Sequence, residues 1–337
     1  MKISRRDFLK TSALALGTAW LPPLPQDEGP RRPVLLGRTI RLNNVFDRPS
    51  LQGQHIGLIP AGSVFNIYST IQSTDNYYNR TWYEAQQGFV HSASVQPVRW
   101  QLQEPVLDLP PKGFLGEVTV PATPAQTGPG AHYNTAFSYY YSTTYWITGV
   151  THDNAGVVWY ESLDDRYLKK YWVRAEHIRP VTDAEMAPIA PEVADKRIEV
   201  DLANQVFRAY QSGQQVLETL CSTGPYLRTE NGKRIYGTPA GNWSILRKRP
   251  TRHMAGDDRA SADFFDLPGV PWVSYFHWWG VSIHGTYWHN DYGRPRSHGC
   301  VNLPPEAAKW IFRWTLPVAT IEQEETLAPG GTSMVVF

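Results

Sequence analysis

Gly280-Val281-Ser282-Ile283-His284-Gly285-Thr286, followed ten residues later by Ser297-His298-Gly299-Cys300-Val301-Asn302-Leu303, is the stretch on which the reading turns. Both blocks mix β-branched and small residues, and Asn290-Asp291-Tyr292-Gly293 between them is turn chemistry. The pattern predicts a strand ending at His284, a loop, and a second strand that delivers Cys300 beside it. Sulfur attacks a carbonyl only as thiolate, so an imidazole that takes its proton is the minimum apparatus. His284, sixteen positions before Cys300, is one candidate base; His298, two positions before it, competes or touches substrate instead. Glycines around the sulfur allow close backbone approach, and the N–H groups of Gly299 and Cys300 are candidates for an oxyanion site.

Working outward, a helix is expected over Pro304 to Trp314, with Asn302 ahead of it, Pro305 and Glu306 in its first turn and Pro317 beyond its end. Upstream, Arg197 to Leu202, Gln205 to Tyr210 and Gln215 to Leu220 alternate with period two, with Asn204 and Ser212-Gly213 at the turns, and predict a β-meander. Cys221 continues the last of these strands, has no matching histidine block, and reads as core. With two cysteines in the chain, pairing would remove the nucleophile, so Cys221 and Cys300 are expected to stay apart.

The two blocks resemble the signature of the L,D-transpeptidase catalytic domain (YkuD type). The likeness runs from about Lys196 to the C-terminus and includes Thr238-Pro239-Ala240-Gly241. The resemblance implies Cys300 as nucleophile, His284 as base, a backbone carbonyl such as that of Gly285 as its orienting partner, and Gly299 beside the sulfur. Ser297, His298 and Asn302 would line the site, with His289 and Met254 as further lining candidates. Many members of the family carry Arg where this chain has Asn302; Arg294 or Arg296 is then the candidate for carboxylate recognition. The implied donor is a peptidoglycan tetrapeptide stem, cleaved between a meso-diamino acid and D-alanine to leave an acyl-enzyme. An amine acceptor gives a cross-link and water gives an L,D-carboxypeptidase; carbapenems are expected to acylate Cys300. No cofactor or metal is implied.

The N-terminal half carries a repeat. Trp82-Tyr83-Glu84, Gly88-Phe89-Val90 and Val95-Gln96-Pro97-Val98 recur as Trp159-Tyr160-Glu161, Tyr171-Trp172-Val173 and Ile178-Arg179-Pro180-Val181. Both copies resemble bacterial SH3-like modules, which implies glycan or peptide of the cell wall as a partner; the aromatics themselves read either as stacking platforms or as barrel core. The expected organisation is a signal and linker at 1–33, SH3-like modules at 34–100 and 110–183, a linker at 184–195 and the catalytic domain at 196–337. The expected fold class is mainly β, two small SH3-like barrels followed by a β-rich catalytic domain with one or two helices. The 13 Trp, 18 Tyr, 12 Phe, 27 Pro and 26 Gly suit it.

Ser4-Arg5-Arg6-Asp7-Phe8-Leu9-Lys10 before the apolar run Ala13 to Leu21 resembles a twin-arginine export signal and implies a cell-envelope location. Nothing downstream is long and apolar enough for an integral membrane domain. Lys plus Arg at 32 against Asp plus Glu at 31 leaves no broad basic field for nucleic acid. Two rivals remain at this stage. One is a zinc peptidase using His284, His289, Asp291 and His298, which leaves Cys300 without a role. The other is a non-enzymatic wall-binding protein.

Overall fold

Alternation and turn chemistry place most of the chain in short antiparallel strands, and the computed structural model, which describes residues 32–256, 264–320 and 323–337, is mainly β. The arginine pair and the apolar run behind it lie outside the described residues.

The first copy of the repeat builds a five-stranded sheet, in the order His55–Ile59, Asn43–Phe46, Gly88–His91, Thr81–Ala85, Ser69–Gln72, and a three-stranded sheet of Val64–Ile67, Leu35–Thr39 and Val95–Val98. Val45, Ile67, Tyr83, Val90 and Val95 fill the space they enclose. The second copy forms a seven-stranded sheet closed over Phe114, Tyr139, Ile147, Tyr160, Val173 and Ile178. In each copy a single 3-10 turn, Ser92–Ser94 or Ala175–His177, precedes the last strand. Of the repeat's aromatics, Trp82, Tyr83, Trp159 and Tyr160 are buried, whereas Phe89 and Trp172 are half-buried. The four buried rings are core and not stacking platforms for glycan.

The meander appears as Lys196–Asp201, Val206–Gln211 and Gln214–Leu220. The C-terminal strand Ser333–Val336 joins it, pairing parallel with Lys196–Asp201 and antiparallel with Gly241–Ser244. A second sheet runs Val301–Leu303, Ser282–Gly285, Asp266–Tyr275, Arg247–Ala255, Thr326–Leu327. One core joins both sheets to the helix, with Val200, Phe207, Trp272, Ile283, Val301, Ile311 and Phe312 among its members.

The helix spans Pro305–Trp314 and buries Ala307, Ala308, Ile311, Phe312 and Trp314, the spacing of one helical face. Pro at its first position costs no hydrogen bond, because that N–H has no intrahelical partner. Its other end is held by two buried amines: Lys248 Nζ donates to the carbonyls of Phe312 (2.7 Å) and Thr315 (2.6 Å), and Lys196 Nζ to Trp314 (2.8 Å) and Ile189 (2.9 Å). Cations suit the negative end of a helix, although burial pushes the Lys248 amine well below its ordinary value. Lys248→Met orphans two buried carbonyls, a loss partly offset because no amine is then desolvated. Denaturant titration is expected to show about 2 kcal/mol less stability.

Both N-terminal modules are docked on this domain. Tyr78 Oη donates to Asp291 (2.6 Å), and Arg38 Nη2 to the Tyr287 carbonyl (3.0 Å), so the first module grips the loop between the two signature blocks. The second rests on the Arg247–Ala255 strand, where Thr144 Oγ1 donates to the Pro250 carbonyl (2.9 Å).

Candidate active site

Parallel pairing of the strands Ser282–Gly285 and Val301–Leu303 sets Ile283 opposite Val301 and His284 opposite Asn302. Side chains alternate along a strand, so Ile283 and Val301 enter the core while Ser282, His284, Cys300 and Asn302 share the other face. On its free edge Asn302 is bridged to Ser222 through both backbone groups (2.8 and 3.0 Å), which ties the nucleophile strand to the meander.

Cys300 is partly exposed and, like the buried Cys221, a free thiol. Its sulfur lies 3.6 Å from Ser282 Oγ and 4.0 Å from the Gly280 carbonyl. Burial raises the thiol above its ordinary value, against a smaller lowering by Ser282. His284 is almost fully buried, and its Nδ1 donates to the Gly285 carbonyl at 3.0 Å. That bond fixes the tautomer and leaves Nε2 with a lone pair. Burial lowers the imidazole to about 4, with the Gly285 bond opposing. Both shifts favour a neutral thiol beside a neutral imidazole at rest.

The turn that presents Cys300 is held from several sides. Ser297 Oγ accepts from the Gly299 N–H (3.1 Å) and donates to the Cys300 carbonyl. The buried Thr238 Oγ1 donates to the Gly299 carbonyl (2.7 Å) while accepting from the Gly224 N–H (2.8 Å). Gly299 has φ +146°, and a Cβ there would stand 3.0 Å from the Gly237 carbonyl. Gly299→Ala thus meets both backbone strain and a close contact, at about 1–3 kcal/mol. It is expected to slow alkylation and acylation of Cys300 at least tenfold while leaving the circular dichroism spectrum unchanged.

Several candidates fall elsewhere than expected. The Gly299 N–H is already committed to Ser297, so of the two amides proposed for an oxyanion the Cys300 N–H is the one left to it. His298 is exposed and stacked on Phe265 (5.0 Å between centroids), away from the buried face that holds His284. Arg294 and Arg296 both pair with the fully buried Asp291 carboxylate, which needs their charge as compensation, so neither is a free cation for substrate. His289 lies 2.9 Å from the Asn302 amide, and burial lowers it to about 4; it props the floor of the site. Asn302 Oδ1 is buried without a hydrogen-bond partner.

A cleft of about 390 Å³ opens at Cys300, lined by Met254, Phe265, Tyr275, Trp279, Gly280, His253 and four arginines. Met254, a lining candidate, is on this cleft. The arginines, Ser282 and Thr238 were not singled out as site residues. Ser282 had a signal, two positions before His284 on one strand, whereas the arginines come together only through tertiary contacts. The four residues of the zinc reading do not converge, and among the described residues no group of three or more His, Cys, Asp or Glu is placed to hold a metal.

Residues 195–333 match the family model of the YkuD L,D-transpeptidase catalytic domain. Among solved structures, the catalytic domain of the Enterococcus faecium L,D-transpeptidase is 30% identical, covers 43% of this chain and 98% of its own, and has a TM-score of 0.31. A longer E. faecium L,D-transpeptidase is 29% identical over 44% of this chain and 51% of that one, at 0.32. An L,D-transpeptidase from Mycobacterium smegmatis is 15% identical over 56% and 98%, at 0.33. The chain spans about half the length of the longer relatives it matches. No curated protein matches it.

Proposed function

We propose, from the premise that this chain belongs to the L,D-transpeptidase family with its catalytic domain at residues 195–333, that it forms peptidoglycan cross-links through a thioester on Cys300. The observation that carries this is the shared face: a partly exposed sulfur, and a buried imidazole one pair along whose Nδ1 is fixed on a carbonyl.

The donor is a tetrapeptide stem. As Cys300 Sγ attacks the carbonyl of its third residue, His284 Nε2 takes the thiol proton, and the carbonyl oxygen, now an anion, receives the Cys300 N–H. Collapse breaks the bond to the terminal D-alanine, whose nitrogen leaves with the proton from His284. The thioester remains. An amine of a second stem then attacks it, gives its proton to His284, and expels Cys300 as the thiol, which closes the cross-link.

The N-terminal modules are read as SH3-like barrels, on the repeated order of strand, strand, 3-10 turn, strand. Export to the cell envelope is read from Ser4 to Leu21 and from the location of such a substrate. No helix among the described residues is long and apolar enough to cross a membrane.

The test is intact mass of the reduced protein after incubation with a tetrapeptide stem, alone and then with an acceptor stem. An adduct equal to the stem minus D-alanine, lost on addition of the acceptor with release of a dimer, is the expected result. Reduced, folded protein with no adduct would overturn the reading.

A further inference from the structure

The turn His277 to Gly280, between the strands Asp266–Tyr275 and Ser282–Gly285, leaves two large rings uncovered beside the nucleophile. Trp278 is 75% exposed and Trp279 73%, with 4.9 Å between their centroids. Tryptophan is ordinarily well buried, as Trp82, Trp159, Trp272 and Trp314 are in this chain. The exposed pair is held firmly from below. The Gly280 N–H donates to the His277 carbonyl (3.1 Å), the Trp279 N–H to His277 Nδ1 (3.3 Å), and the His277 N–H to the Val281 carbonyl (3.3 Å). The buried His277 ring meets Trp243 edge-on at 4.7 Å and Trp279 at 5.0 Å. Rings on a backbone fixed in this way lose little freedom when a partner covers them.

Position decides what that partner is. Trp279 and Gly280 line the cleft that holds Cys300, and the Gly280 carbonyl lies 4.0 Å from its sulfur. Two residues of chain reach about 7 Å, so the backbone of Trp278 stands within roughly 11 Å of the sulfur. A stem whose third carbonyl is at Cys300 runs about 10 Å from there back to its amino end when extended, and that end is joined to a sugar of the glycan strand. Stem and tryptophans therefore reach equally far from the sulfur. A pyranose presents C–H groups on one face and hydroxyls around its rim, so its apolar face can cover an indole while the rim stays in water. The buried Trp82 and Trp159 of the N-terminal modules have no such face to offer. A lipid surface also takes tryptophan at its interface, but seated on this turn it would stand at the mouth of a cleft that has to admit a wall-borne stem.

We infer that Trp278 and Trp279 form a sugar-stacking platform, so that the enzyme takes its donor stem together with the glycan that carries it, in preference to the free peptide. The inference rests on the transpeptidase reading and adds a carbohydrate to the substrate of that site. The two rings determine specificity, through a part of the donor remote from the bond that breaks.

The experiment uses the full chain and two donors, a tetrapeptide stem and the same stem on its disaccharide, each below saturation. Rates of thioester formation are read by intact mass, and their ratio is the readout. Wild type is expected to favour the glycosylated donor roughly tenfold or more, the effect of one well-covered tryptophan. Trp278→Ala should bring the ratio near one, and Trp278→Phe should restore part of it. Equal wild-type rates on the two donors overturn the inference while leaving the transpeptidase reading intact, and a Trp278→Ala loss of the same size on both overturns it as well. Sedimentation with phospholipid vesicles separates the lipid alternative: wild type is expected to stay in solution, and binding that Trp278→Ala abolishes would assign the pair to a membrane surface instead. If neither donor forms a thioester while iodoacetamide labels the sulfur, the transpeptidase reading fails first and the inference falls with it.

Discussion

Cys300→Ala is expected to abolish thioester formation, with the mass of the protein unchanged after any exposure to donor. No other side chain on the shared face can take over. Ser282 Oγ is buried 3.6 Å from the sulfur, and its alcohol is a far weaker nucleophile at neutral pH than a thiol with a base at hand. Loss of a covalent nucleophile costs roughly 10^4-fold or more, because base and oxyanion donor then have nothing to act on. The fold should tolerate the change, since Cys300 is partly exposed and its turn is held by Ser297 and Thr238 rather than by sulfur. An unaltered denaturation midpoint alongside the lost adduct separates chemistry from misfolding.

His284→Gln is the second large effect. Glutamine keeps a polar side chain near the Gly285 carbonyl but cannot take the thiol proton, so acylation should fall about 10²- to 10⁴-fold. The pH profile tells a lost base from a disturbed strand. In wild type the imidazole stays neutral down to about 4, so acylation should be flat through neutral pH and fail only as pH drops toward that value. The variant depends on free thiolate, and its rate should climb about tenfold per pH unit until the raised Cys300 value is reached.

The same residue gives a stability signature. His284 and His289 are both held near 4, below the ordinary histidine value of about 6.5, so the unfolded chain binds protons that the native one refuses. Their contribution is fully present above pH 6.5 and is lost as pH falls toward 4, by about 3 kcal/mol for each. His253 runs the other way. Burial lowers it, but Asp164 and Asp266 outweigh that and raise it, so its contribution is present below 6.5 and is lost as pH rises through the raised value. His284→Gln should remove one of the two acid-side terms, which urea titrations at pH 4.5 and 7 will detect.

Much of this is legible in the sequence. The alternation in Arg197 to Leu220 and the proline punctuation around Pro305 to Trp314 are local signals, and strands and helix stand where they put them. The recurrence of Trp-Tyr-Glu was equally local, and burial of those rings decided between core and platform. Spacing alone brought His284 and Cys300 to neighbouring strands, though not the parallel sense of the pair, which comes from the loop crossing back over the first module. Long-range pairing hid the rest. The insertion of Ser333–Val336 between two strands, the capture of Arg294 and Arg296 by Asp291, and the place of Arg166 on the cleft that holds Cys300 all join residues far apart in sequence or in a loop without a period. No propensity records such neighbours. His298 illustrates the limit: adjacency to the sulfur in the chain suggested a base, and an exposed ring stacked on Phe265 is what the fold made of it.

Cys221, fully buried with a thiol that burial has pushed far up, turns the molecule into its own stopwatch. A thiol reagent added to the native protein sees one sulfur, at Cys300; the second becomes visible only during excursions that part the meander from the rest of the core. The count of labels against time therefore reports two clocks in one spectrum, a fast one for the reacting centre and a slow one for cooperative opening. Any substitution near the cleft can be sorted at once by which of the two it changes.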